Sequence, residues 1–168
     1  AAIELDVDFP EALYLLGPCL RESGQDEEAL HTLTRAVEIS PAFVAAREEM
    51  ITIFDRGERR QEALEQREAL AALEPTRVAR LIDLGLTYAR AGKIDAAVLT
   101  LGRAAERFPD EPTVYTALGH VWLEAADPPD SRVALSKAIE ALQLRATSAG
   151  ASGEMLMLYG RAMLRAGD

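Results

Sequence analysis

The chain returns to the same phase with a period of about 34 residues, and no other feature constrains its fold as much. Leu84-Gly85 stands one period before Leu118-Gly119, and Leu16-Gly17 stands three periods before it. Twelve positions beyond each glycine come Ala29, Ala97 and Ser131, and nineteen beyond come Ala36, Ala104 and Ala138, all small. Pro41, Pro75 and Pro109 close successive units. A supersecondary unit of this size cannot bury its apolar face alone, so it stacks on copies of itself into a quasi-one-dimensional array. Function then becomes a property of a surface.

Each unit carries two apolar stripes at helical spacing. Leu81, Leu84, Gly85 and Tyr88 fall at i, i+3, i+4 and i+7, one face of a helix that ends near Ala91-Gly92. Ile94, Ala97, Val98, Leu101, Ala104 and Ala105 form the second stripe, which Pro109 stops. The period predicts units at 10–43, 44–77, 78–111 and 112–145. In the first, helices from about Pro10 to Ser23 and from about Asp26 to Ser40 flank a turn at Gly24-Gln25. The second is the poorest copy: Arg47 stands where an apolar residue is expected and Gly57 comes one position early, although Ala63 and Pro75 hold the phase. The fourth has Tyr115, Leu118, Gly119 and Trp122 on one helix and Leu135, Ala138 and Ile139 on the other, joined by Asp127-Pro128-Pro129-Asp130.

Residues 153–168 read as the first helix of a further unit, with Leu156, Tyr159, Gly160 and Met163 on its face. Gly160 falls seven positions later than one period from Gly119, and the small, polar insertion at 146–152 is expected to absorb the excess. Residues 1–9 read as the end of a preceding unit, because Ala2-Ile3-Glu4-Leu5-Asp6 matches Ala36-Val37-Glu38-Ile39-Ser40. Both ends are expected to be cuts through a longer array, exposing apolar faces through which the fragment self-associates.

A formal charge of −10, from 28 acidic against 18 basic residues, opposes binding to nucleic acid or anionic lipid. The single cysteine, Cys19, excludes an internal disulfide and the Cys-rich zinc signatures, and is expected to pack inward as a small hydrophobe. No apolar run approaches the roughly 20 residues of a membrane span. The start lacks the basic and apolar regions of a signal peptide, and both cytoplasm and periplasm fit. Arginine far outnumbers lysine and alanine is abundant, a bias of GC-rich bacterial coding sequence. His31 and His120 have no cysteine, serine or carboxylate at the spacing of a triad or metal site, and there is no Gly-rich phosphate loop. The expectation is therefore no enzyme, no metal and no cofactor.

A large apolar residue, Leu-Gly, an aromatic, alanine, a large apolar residue, alanine and proline at these offsets resemble the tetratricopeptide repeat (TPR). The resemblance implies an all-α, right-handed superhelical solenoid of antiparallel helix pairs. The glycines and alanines would then lie where the two helices of a unit come close, and large residues there would overpack the contact. First helices would line a concave groove that binds a peptide or protein. Carried over position by position, the partner contacts are Tyr14, Leu15, Pro18 and Arg21; Glu48, Glu49, Thr52 and Arg56; Ile82, Asp83, Leu86 and Arg90; Thr116, His120, Leu123 and Glu124; Met157, Leu158, Arg161 and Arg165. Chaperone-binding relatives clamp a C-terminal carboxylate with lysine, asparagine and arginine, but here those places hold Tyr14, Pro18, Glu49, Ala79 and Asp83. That clamp is absent.

The groove is expected to carry apolar patches at Tyr14-Leu15, Ile82-Leu86 and Leu123-Met157, which either mark a partner site or are covered by neighbouring superhelical turns or a terminal helix. Arg56, Arg90 and Arg165 share one repeat position and read as solvated charges favoured by helix dipoles. Pro18 removes a hydrogen bond inside a first helix and reads as tolerated strain. The expected function is a noncatalytic protein-protein interaction scaffold. The alternative is an accessory region of a larger enzyme or secretion machine, such as a glycosyltransferase or a polysaccharide exporter, that positions a partner.

Overall fold

The computed structural model describes residues 9–125 and 131–167, with side chains from 135 onward in the second stretch. The match at residues 2–6, the Asp127-Pro128-Pro129-Asp130 joint and the Ser131 side chain lie outside the described residues. All regular structure among the described residues is helical: α1 (Pro10–Glu22), α2 (Asp26–Ile39), α3 (Val44–Arg56), α4 (Arg60–Leu73), α5 (Val78–Arg90), α6 (Ile94–Arg107), α7 (Pro112–Ala125), α8 (Ser131–Ala146) and α9 (Gly153–Ala166). They form two compact units, residues 1–74 with α1–α4 and residues 75–168 with α5–α9. Within the first, α1 packs on α2 and α3, and α3 on α4; within the second, α5 packs on α6 and α7, and α7 on α8 and α9.

The short turns inside each pair share one backbone requirement. Gly24 and Gly92 take φ of +76° and +73° between their helices, and the residue midway between them in phase, Glu58, takes φ of +55°. The left-handed conformation therefore falls at the periodic position in the second repeat too, and the early Gly57 has an ordinary φ of −83°. Glutamate holds a geometry that glycine adopts freely, at a steric cost of roughly 1–2 kcal/mol.

The pairs are closed by one repeated contact. A Cβ on Gly17 would stand 2.6 Å from Leu33 Cδ2, one on Gly85 2.6 Å from Leu101 Cγ, and one on Gly119 2.7 Å from Leu142 Cδ1. Each leucine is fully buried and occupies the space a side chain would need. Ala29 and Ala36 flank Leu33, and Ala97 and Ala104 flank Leu101, all with no exposed surface, so the second helix also presents small residues around its knob.

The second repeat departs from this rule in a compensated way. Ile51 holds the glycine position and Arg67 the leucine position. Arg67 makes a bidentate ion pair with Asp55, at 3.1 and 2.6 Å, joining α4 to α3. Arg47, where a large apolar residue was expected, donates through Nε and Nη2 to the Pro41 carbonyl at 3.2 and 2.9 Å and through Nη1 to Gln66 at 2.7 Å. Burial pushes its guanidinium pKa down, the expected response of a cation moved away from water.

The fourth repeat corrects the expected place of the extra segment. Leu33 and Leu101 stand at one common offset from their glycines, but the leucine over Gly119 is Leu142, seven positions later than that offset. From that leucine to the start of the next first helix the spacing is the same throughout, from Leu33 to Val44, from Leu101 to Pro112 and from Leu142 to Gly153. The insertion therefore lies between Gly119 and Leu142, and 146–152 has the usual length for its place. Two helical turns take up about seven residues, so Leu135 and Leu142 share a face and the sequence pattern does not distinguish them.

α9 is capped by Ser152, whose side chain accepts from the Met155 amide at 3.2 Å, and ends on Gly167 in the left-handed region. Met155, Leu158 and Ala162 bury against α7 and α8, in a cluster with Leu123, Leu135 and Leu142. Leu156 fills no helix contact, being 50 % exposed, and a Cβ on Gly160 would meet nothing within 4 Å. Cys19, expected inside, is exposed.

Alanine is about 1 kcal/mol better than glycine in an open helix interior, so Gly102→Ala, whose Cβ meets nothing within 4 Å, should raise the unfolding free energy. Gly85→Ala should instead lower it, by about 1–3 kcal/mol, because the new carbon overpacks Leu101. Glu58→Gly should stabilise by about 1 kcal/mol by relieving the left-handed strain. Thermal or denaturant unfolding of the three variants measures all of this.

Candidate functional site: the faces of the first helices

The carried-over positions divide into three groups once the helices are placed. On α1 and α3, Leu15, Glu48, Thr52 and Arg56 are exposed, and Tyr14, Pro18, Arg21 and Glu49 are half-buried. Tyr14 leans on Phe43 at the start of α3, with ring centroids 5.2 Å apart, so part of its expected contact area is spent inside the unit. Pro18 sits inside an α1 that continues to Glu22. On α5, Ile82, Asp83 and Leu86 are half-buried and Arg90 is exposed. On α7 and α9, His120 is half-exposed and Glu124, Met157, Arg161 and Arg165 are exposed.

Thr116, Leu123 and Leu158 are corrections, because all three are buried. Thr116 donates its hydroxyl to the Pro112 carbonyl at 3.1 Å, and Leu123 and Leu158 belong to the core beneath α9. For Leu123 and Leu158 the cause is the packing of α9 on α7 and α8, which buries facing positions that would be open on isolated helices. The expected Leu123-Met157 patch is reduced to Met157, 61 % exposed.

Polar positions on this face bridge neighbouring first helices. Arg21 Nε on α1 is hydrogen-bonded and ion-paired to Glu49 Oε1 on α3, and that hydrogen bond holds the guanidinium pKa above its ordinary value. His120 Nε2 on α7 lies 3.0 Å from Glu154 Oε1 in the first turn of α9. Arg165 Nη1 donates back to the Leu123 carbonyl at 3.2 Å. Glu154 was absent from the expected set; counted from Gly119 and Gly160 it stands seven residues, about two helical turns, before the counterpart of His120, so the repeat register gave no sign of it. Arg56, read as a solvated charge, is ion-paired to Asp26 at the start of α2.

The turn between α3 and α4 carries a separate cluster. Arg59 bonds Glu62 at 2.9 Å and Glu27 at 3.0 Å and lies 4.8 Å above the Phe54 ring. Its hydrogen bond depresses the Glu62 carboxyl pKa. The folded-state value lies below the unfolded one, so this contribution is present at neutral pH and is lost as pH falls through the depressed value.

Among the described residues there is no group of three or more His, Cys, Asp or Glu side chains placed to hold a metal ion. Cys19, His31 and His120 stand on three different helices, α1, α2 and α7. No helix among the described residues is long and apolar enough to cross a membrane. The face offers mixed charges and apolar side chains on a rigid helical support.

Because the His120–Glu154 pair is solvent-exposed, it should contribute at most about 1 kcal/mol. His120→Ala should therefore change stability by less than that, in contrast to its neighbour Gly119→Ala, which overpacks Leu142. Equal losses in thermal unfolding would mean that α7 is rotated from the face described.

The tetratricopeptide-repeat family matches the chain at residues 10–43 and at residues 81–111. The matched segments lie on either side of the second repeat, where Ile51, Arg47 and Arg67 replace the repeat's own residues. No curated protein sequence matches the chain. Among solved structures, MamA 41-end from Desulfovibrio magneticus RS-1 is 20 % identical, with 85 % of this chain and 79 % of that chain covered and a TM-score of 0.59. TTC0263, a thermophilic TPR protein in Thermus thermophilus, is 22 % identical, with 92 % and 81 % covered and a TM-score of 0.58. These likenesses are of fold, an all-α helical-repeat solenoid. With two segments matched by the family, and helix pairs in both compact units closed by the same glycine–leucine contact, the chain is a tetratricopeptide-repeat protein.

Proposed function

We propose that the chain is a noncatalytic protein-protein interaction scaffold that receives a peptide or a segment of another protein on the faces of its first helices. The observation that carries this reading is the α5–α7 face. Ile82 and Leu86, one turn apart on α5, pack against the core of the second unit but keep part of their apolar surface in solvent, and His120 on the neighbouring α7 is half-exposed. Apolar surface of that kind on a rigid helical layer gains from a partner's burial. The exposed Arg90 and Arg161 and the exposed Glu124 give a polar surround that fixes orientation.

The ligand class that fits is a short peptide segment with apolar side chains. The net charge of −10 disfavours nucleic acid and anionic lipid. On the first compact unit, Leu15, Glu48 and Thr52 offer a second, more polar face.

Peptides selected from a displayed random library on the 168-residue chain, then titrated by calorimetry, test the reading. Ile82→Ala or Leu86→Ala should weaken the selected peptides about tenfold, or about 1.4 kcal/mol. Arg60→Glu, on the exposed first position of α4, should leave affinity unchanged. Affinity insensitive to Ile82, Leu86 and His120 substitutions alike would remove this face as the site.

A further inference from the structure

Ion pairs collect at the end of α3. Asp55 pairs with Arg67 of α4, Arg56 with Asp26 of α2, and Arg59, just beyond the turn, with Glu27 of α2 and Glu62 of α4. Helix dipoles favour this placement, because α3 ends on Arg56 beside an α2 that begins with Asp26, Glu27 and Glu28. Singly, such exposed pairs contribute little, and the Glu27 side chain is 84 % exposed. Acting together, they hold the end of α3 to both of its neighbours.

They matter more here than they would elsewhere. Gly17–Leu33, Gly85–Leu101 and Gly119–Leu142 close their pairs by apolar packing, which screening does not touch. Between α3 and α4, Ile51 and Arg67 hold those two places, and the Arg67 side chain, 11 % exposed, is tied to Asp55 instead. The turn itself stores strain, since Glu58 at φ +55° relaxes if the turn opens. Beneath it Phe54 is buried, with the Arg59 guanidinium 4.8 Å above its ring, so the charged layer covers part of the core. Ala46 and Met50 bury the earlier turns of α3, so an opening at its end leaves the helix seated.

We propose that this ion network is a latch that yields to ionic strength: as salt screens it, the last turn of α3, the turn through Glu58 and the first turn of α4 open away from α2. The rest of the chain responds with the opposite sign or not at all, because at a net charge of −10 added salt relieves self-repulsion and favours the compact state. That difference in sign separates the latch from a general effect of salt.

Hydrogen exchange read by mass spectrometry on the 168-residue chain tests this. Between about 20 mM and about 0.5 M sodium chloride the Debye length falls from roughly 20 to roughly 4 Å. Amides of residues 53–62 should then exchange about tenfold faster, and those of α5 and α6 no faster. The double variant Arg56→Gln with Arg59→Gln should show at low salt the exchange that the wild type shows at high salt, and should lose the salt response. If circular dichroism shows that this variant unfolds, Glu27→Gln, at the most exposed of these carboxylates, carries the same test, with a salt response smaller than that of the wild type. Exchange at 53–62 that salt leaves unchanged or slows, or a full salt response that survives in the folded variants, would overturn the proposal.

Discussion

The approach of a leucine side chain to a bare glycine backbone is the contact on which the rest of this structure depends. It recurs at Gly17–Leu33, Gly85–Leu101 and Gly119–Leu142, in both compact units. Glycine is the poorest non-proline helix former, at about 1 kcal/mol below alanine, so its return at one phase within helices requires an offsetting gain. That gain is close packing of a fully buried leucine with alanines on either side. Close pairing brings neighbouring first helices into contact as well, which is why Arg21 reaches Glu49 and His120 reaches Glu154. The face proposed to bind a partner is thus a product of the same contact, one layer removed.

The second repeat shows how the pair survives without it. Ile51 and Arg67 replace glycine and leucine, and the two helices are tied instead by the Arg67–Asp55 ion pair and by Arg47 bonded to Pro41 and Gln66. Met50, Ile53, Phe54 and Leu64 stay buried, so the apolar stripe persists beneath the polar ties. Its turn keeps the left-handed residue in phase, at Glu58. Backbone geometry has been retained at a position where the favoured residue has not.

Helices, turns and pairing were legible because each leaves a periodic mark: glycine at the contact, glycine at the turn, proline beyond the second helix. Three features were not. The insertion was placed at 146–152 because two helical turns return Leu142 to the face of Leu135, and periodicity alone does not count turns. Thr116, Leu123 and Leu158 were placed on the groove because a position along one helix does not say what the neighbouring helix covers. Cys19 was placed inside by its helix position, but the stripe it shares with Ala12 and Leu16 has no described helix against it. In each case a single helix was read correctly and its neighbour was not.

A double-mutant cycle on Gly85 and Leu101 measures the governing contact directly. If the two groups compete for one space, Leu101→Ala should absorb the side chain added by Gly85→Ala, and the double variant should be more stable than the sum of the single losses by about 1 kcal/mol or more. Additive losses at these two positions, measured by denaturant unfolding, would contradict the claim that glycine is held there by the leucine opposite.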